Sequence, residues 1–256
     1  MKKDILINSY DRTYGTSSSF QIQYTLRQFY KCNSFYISSV VMPSSFYVVT
    51  SNNNLLYFVD NNQSTQSLTI TPGNYSPSEL VSTIQTWLTG LNSNAGWAIS
   101  YSTNTGLFSF STSNLSFGLD AHEYDNILYN LMGFLQQIYN VDTTTKTSTY
   151  VADLTGPKYV KIVSNALSFK SSFEPGSTNI GVKNVILRIP VKVNSFDMIV
   201  YENYNDINNM IPFQREFPNI IDISLIDEEG NTLNLNGTEW SFVITAIFEE
   251  IYPAKY

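Results

Sequence analysis

The sequence predicts a mainly β chain, a sandwich of about ten or more strands with a helix–hairpin–helix piece set into it. Three observations carry this. Short apolar and polar residues alternate along much of the chain, the period-2 signature of half-buried strands. Turn-forming Gly, Pro, Asn and Asp clusters separate these runs at short intervals. Aromatic residues reach 14% while charged residues are only 14%, so a large core is available and Asn, Ser and Thr serve as the polar partners.

The elements follow in order. Residues 1–18 are polar, with a Thr, Tyr, Gly and Ser stretch from Thr13 to Ser19, and read as an N-terminal arm. Phe20, Ile22, Tyr24 and Leu26 alternate as a first strand. Phe35 to Met42 is a more continuous apolar run that Pro43 stops. Leu55–Val59 and Leu68–Thr71 form two more strands around Asp60-Asn61-Asn62. The strongest local signal comes next. Ser76-Pro77-Ser78-Glu79 is a capping box with Pro at the first helical position, and Leu80, Ile84, Trp87, Leu88 and Leu91 follow at helical spacing. A helix is therefore expected over 77–91. Trp97, Ile99 and Tyr101 alternate, Asn104-Thr105-Gly106 turns, and Phe108 and Phe110 return as a hairpin. A second helix is expected from Asp120, with Glu123 as its cap partner, a stripe of Tyr124, Ile127, Leu128 and Leu131, and Gly133 at its end. Residues 140–157 read as a Thr-rich loop. Strands are then expected near 159–164, 184–190, 197–201, 219–226, 231–235 and 240–249, with Asp227-Glu228-Glu229-Gly230 turning one hairpin. No repeat of fixed period appears, which disfavours a solenoid or propeller. The resulting division is an arm over 1–18 and a sandwich over 19–256 carrying an α/β insertion at 73–135.

Charge and cysteine usage narrow the function classes. The net charge is −7 with no basic run, so no nucleic-acid partner is expected, since that affinity comes mainly from Lys and Arg on phosphates. The single cysteine, Cys32, rules out an intrachain disulfide and reads as a small buried hydrophobe. Ile5-Leu6-Ile7 is too short for a signal peptide, and no stretch approaches the length of a membrane span. The expectation is a protein made in the host cytoplasm.

Catalytic and metal chemistry finds little support. The one histidine, His122, with Cys32 falls short of the three or four ligands a zinc site needs. Nothing around any serine resembles a nucleophile elbow, and Gly73-Asn74-Tyr75 ahead of the helix matches no phosphate-binding pattern. Paired carboxylates are the one catalytic chemistry left open, from Asp222, Asp227, Glu228, Glu229, Glu239, Glu249 and Glu250. The triplet Asp227-Glu228-Glu229 offers oxygen ligands for calcium but lacks an EF-hand pattern, and a charged hairpin turn is the simpler reading. Trp87, Trp97 and Trp240 are candidate sugar-stacking platforms, although their positions suit a core better. The expectation is a non-enzyme with no catalytic, cofactor-binding or metal-binding residues.

The order of motifs resembles the penton (minor capsid) proteins of virophages and polinton-like viruses. Ile7-Asn8-Ser9-Tyr10-Asp11-Arg12 followed by Ser18-Ser19-Phe20-Gln21-Ile22 looks like that family's opening. Val40 to Tyr47 looks like its Pro-terminated strand. Ile70-Thr71-Pro72-Gly73-Asn74-Tyr75-Ser76 looks like its approach to the helix, Leu131-Met132-Gly133-Phe134 like its following stop, and Ser224 to Gly230 with Trp240-Ser241-Phe242 like its last hairpin. The resemblance covers nearly the whole chain. It implies a jelly-roll β-sandwich and a structural role in an icosahedral virion, as pentamers at the fivefold vertices beside trimeric double-jelly-roll major capsid proteins. The other function class is a virion-surface attachment or glycan-binding module.

Overall fold

The structure is a computed structural model, and it describes residues 1–24, 31–59, 64–113, 116–121, 128–168, 184–203 and 210–249. The chain divides into two compact units. One comprises Met1–Phe46 with Pro157–Tyr256, and the other is Tyr47–Gly156.

The first unit is built from two antiparallel sheets. Strands β1 (Lys2–Asn8), β4 (Lys31–Pro43), β14 (Met198–Glu202), β15 (Ile211–Glu216) and β17 (Ser241–Phe248) form one sheet in the order β1-β17-β4-β14, with β15 also on β4. The other runs β13-β12-β16-β3-β2, from β2 (Tyr14–Gly15), β3 (Ser19–Gln23), β12 (Tyr159–Val163), β13 (Val185–Pro190) and β16 (Ile220–Ile226). Alternation decides which side chains meet between the sheets. Ile7, Val40, Met42, Ile199, Phe242 and Ile244 from the first sheet share one buried cluster with Phe20, Ile22, Val160, Ile162, Ile221 and Ile223 from the second. Each such side chain contributes roughly 1.5–3 kcal/mol by leaving water.

Residues 1–18, expected as an arm, hold β1 in register with β17 from Lys2 opposite Ile247 to Asn8 opposite Ser241. Ile7, wholly buried, and the partly buried Ile5 supply the inward face that the polar composition of the segment conceals. Strand β15 was not anticipated either, because its one fully buried inward anchor is Phe213 amid Gln214, Arg215 and Glu216. The strand expected near 231–235 is reduced to a single bridge, Ile226 opposite Thr232.

The second unit holds a four-stranded sheet, β10-β9-β5-β6, and a three-stranded one, β11-β8-β7. Its strands are β5 (Leu55–Val59), β6 (Thr65–Thr69), β7 (Ala98–Ser102), β8 (Leu107–Ser111), β9 (Phe117–Asp120), β10 (Ile138–Thr143) and β11 (Thr145–Thr147). Helix α1 spans Pro77–Leu91 as the sequence predicts, with both halves of the capping box formed. Leu80, Ile84 and Leu88 bury its inner face against Phe58, Phe108 and Phe110. The second expected helix is corrected where it is described. Asp120 closes a strand instead of capping a helix, and Leu128–Asn130 is a single 3-10 turn; Glu123, Tyr124 and Ile127 lie outside the described residues. Of the expected stripe, Leu128 is buried and Leu131 packs partly buried against the same cluster. The Thr-rich segment 140–157 is not all loop, since β10 and β11 run through it, Thr and Ser supplying strand-compatible partners on β8. The expected insertion, 73–135, falls wholly inside this unit, which reaches further at both ends.

Candidate functional site

The residues singled out for chemistry are scattered, and each has a local structural task. Cys32 is buried on β4, its Sγ donating to the carbonyl of Ser34 at 3.3 Å. Burial pushes its thiol up to about 11, against the lowering effect of backbone bonds at Ile247 and Ser34, which leaves it a poor nucleophile. His122 and Glu250 lie outside the described residues. Gly73 pairs its backbone with Val49 in both directions, Asn74 accepts from Val48 N at 2.8 Å, and the Tyr75 hydroxyl donates to Thr71 O at 2.7 Å. The Gly-Asn-Tyr motif thus ties the approach to α1 onto the Val48–Val49 segment.

The acidic candidates divide the same way. Asp222 on β16 accepts from Ala166 N (2.7 Å), Asn165 N (3.0 Å), Asn165 Nδ2 (2.8 Å) and Ser164 Oγ (3.3 Å). Burial pushes its carboxyl up, but the N–H donors outweigh that and hold it below the usual Asp value. Asp227 accepts from Asn231 N and Nδ2 within its turn, and Glu228 accepts from Lys158 N at 3.1 Å. Glu229 is raised by burial and by the neighbouring Asp227 and Glu228. The triplet is therefore brought together, but two of its three carboxylates are spent on the turn and its flank. Glu249 pairs with Lys31 at 3.5 Å across exposed surface. Among the described residues no three His, Cys, Asp or Glu side chains gather in a metal-binding arrangement.

Glu239 belongs to a closed cluster that explains the opening motif. Its carboxylate accepts from Arg12 Nη1 at 2.7 Å and from the Ser9 hydroxyl. Arg12 also donates to Ser9 O at 2.7 Å, and Ser9 exchanges backbone and side-chain bonds with Trp240. Trp240 stacks on Phe242 and donates from Nε1 to Ser17 O at 2.7 Å. The tryptophan is a core pin. Trp87 and Trp97 are half-buried against Phe58, so none of the three is an open sugar platform.

What remains is surface. The second unit has an open groove of about 530 Å³ whose walls include Asn130, Phe134, Gln136, Gln137, Tyr150 and Val151. The first unit has a sheet face on which exposed apolar side chains stand among Ser39, Ser241 and Glu202. Opposed residues share a face, and the pairs Leu6–Val243, Ser241–Val41, Val41–Val200 and Pro43–Met198 place these side chains opposite the buried set of Ile7, Val40, Met42 and Ile199. Leu6, Val41, Met198 and Val200 are all exposed, as is Phe196 just before β14. The sequence carried a signal for this face: Val40-Val41-Met42 and Met198-Ile199-Val200 are apolar at both parities, the pattern of a strand covered on both sides.

No family model matches the sequence, and no curated protein is similar to it in sequence. Among solved structures, the crystal structure of the selenomethionine-labelled mavirus penton protein is similar, with a TM-score of 0.52 over 96% of this chain and 100% of that chain at 10% identity. At that identity the likeness is one of fold. It lies with a virophage penton protein, the group whose motifs the sequence resembles.

Proposed function

We propose that this chain is a structural minor capsid protein, a penton that forms pentamers at the fivefold vertices of an icosahedral virus particle. The observation that carries the reading is a fold likeness spanning the whole of a penton protein and 96% of this chain, joined to a sequence whose motif order independently resembles the same group. The strand order adds support for a jelly roll. From β1 onward the chain visits the first sheet, the second (β3), the first (β4), the second twice (β12, β13), the first (β14), the second (β16) and the first again (β17), and β1 lies beside β17. That is the order of two nested Greek keys. On this reading Tyr47–Gly156 is an insertion between β4 and β12. The partners are further copies of the chain and trimeric double-jelly-roll major capsid proteins, the location is the virion, and the role is non-enzymatic.

Light scattering across a concentration series tests this. The expected species is about 145 kDa, five times the 29.0 kDa chain, since a head-to-tail contact closes into a ring. A 29.0 kDa particle at every concentration, together with no incorporation into particles when co-expressed with major capsid protein, refutes it. The groove beside Tyr150, with three amide side chains, favours a second role in attachment, because neutral sugars are held by aromatic faces and amides; a glycan array reads this directly.

A further inference from the structure

Asn236-Gly237 is the only Asn-Gly pair in the sequence, and the capsid role makes no use of it. The two residues form the centre of a turn in which Thr238 N donates to Leu235 O at 3.0 Å. Both central φ angles are positive, +51 at Asn236 and +81 at Gly237, as a type I′ turn requires. Asn and Gly adopt that backbone more readily than other residues. The same pair carries a latent reaction. A backbone nitrogen can attack the side-chain carbonyl carbon of the asparagine before it, closing a five-membered ring. The step is intramolecular, so the nucleophile acts at a high effective concentration. A side chain on the attacking residue crowds that ring, and glycine has none.

The structure leaves the nucleophile open and holds the electrophile in place. Both residues are exposed. Among the described residues the Gly237 N–H has no acceptor, and a Cβ added at Gly237 would meet nothing within 4 Å. Asn236 Nδ2, by contrast, donates to Ser45 O at 2.6 Å. That bond belongs to a mooring. The Ser45 hydroxyl donates to Leu235 O at 2.8 Å and lies 2.7 Å from the Thr238 hydroxyl, while Leu235 N donates to Ser18 Oγ at 3.2 Å. We infer that Asn236 is a site of spontaneous covalent modification, converted to aspartate and isoaspartate through attack by the Gly237 nitrogen, and that conversion releases the 235–238 turn from Ser45. The bond from Gly237 N to Asn236 Cγ forms and the Cγ–Nδ2 bond breaks, and the amide proton leaves with Nδ2 as ammonia. Water then opens the succinimide at either carbonyl, giving aspartate or, with the backbone rerouted through the side chain, isoaspartate. Nothing is oxidised or reduced. The product has lost the donor that Ser45 O accepted, and a carboxylate oxygen in its place opposes acceptor to acceptor. The Ser45 bond also sets the pace, because Asn236 Cγ meets Gly237 N when the turn opens.

The test ages the full chain at mildly alkaline pH, native and in guanidinium chloride, and follows ammonia release together with peptide mass spectrometry. Position 236 is expected to convert ahead of every other asparagine in both, and roughly ten- to a hundredfold more slowly in the native chain. Aged native molecules carrying the added charge, separated by ion exchange, are expected to unfold at a lower midpoint, and Asn236→Asp to reproduce that shift. Asn236→Gln keeps an amide but would have to close a six-membered ring, so release of ammonia from this position is expected to stop. A native chain unmodified at 236 after more than about a hundred unfolded half-times, or earlier conversion of another asparagine, overturns the site. Equal rates in both conditions overturn the hold by Ser45. An unchanged midpoint in the aged fraction, which needs no variant to fold, overturns the release of the turn.

Discussion

Replacing Asp222 by Asn removes a charge from the most heavily engaged carboxylate among the described residues and leaves its shape. Asp222 accepts four bonds of 2.7–3.3 Å from Ser164, Asn165 and Ala166, and these hold the chain as it leaves β12. Hydrogen bonds to a charged group contribute about 1.5–3 kcal/mol each. Asn keeps one acceptor oxygen but turns an NH2 toward donors that need the other. Two bonds are lost, and because the site is half-buried water recovers part of them. The net cost is about 2 kcal/mol, or roughly 4–8 °C in the melting temperature of a unit this size. The pH dependence separates this account from simple misfit. The folded pKa lies below the usual Asp value, so the stabilisation is fully present above the unfolded value of about 3.9 and is lost as pH falls through the folded value. Urea melts at pH 7 and at pH 2.5 should therefore show a gap between wild type and Asp222→Asn that closes in acid. A gap of the same size at both pH values, or none at pH 7, refutes the reasoning.

Three further outcomes are expected. Ser76→Ala breaks the capping box, in which Glu79 N donates to Ser76 Oγ and Ser76 N to Glu79 Oε2; it should cost about 1 kcal/mol and fray α1 in far-UV circular dichroism. Gly133→Ala should destabilise the second unit by about 3 kcal/mol in urea melts, because Gly133 has φ +82 and an added Cβ would stand 2.0 Å from Tyr150 O. Native Cys32, with its thiol raised to about 11, should react with a disulfide reagent at pH 7.5 roughly two orders of magnitude more slowly than in urea.

The sequence by itself determined the elements whose cause is local. Helix α1 was legible to the residue because Ser76, Pro77 and Glu79 terminate it and Leu80, Ile84 and Leu88 give it a single buried face. The hairpin of Ala98–Ser102 with Leu107–Ser111 was legible because alternation and the turn before Leu107 agree. The likeness to a penton protein was readable too, as a resemblance in motif order, and the fold agrees with it although the identity is only 10%. The tertiary structure alone decided the rest. Lys2–Asn8 is a strand because β17, more than two hundred residues away, supplies its ladder. Ser9 and Arg12 have a role because Glu239 meets them. The outward set of exposed apolar side chains exists only once β4, β14 and β17 lie side by side. Strand pairing is a contract between distant segments, and the side a residue faces depends on register, which no window of neighbouring residues contains.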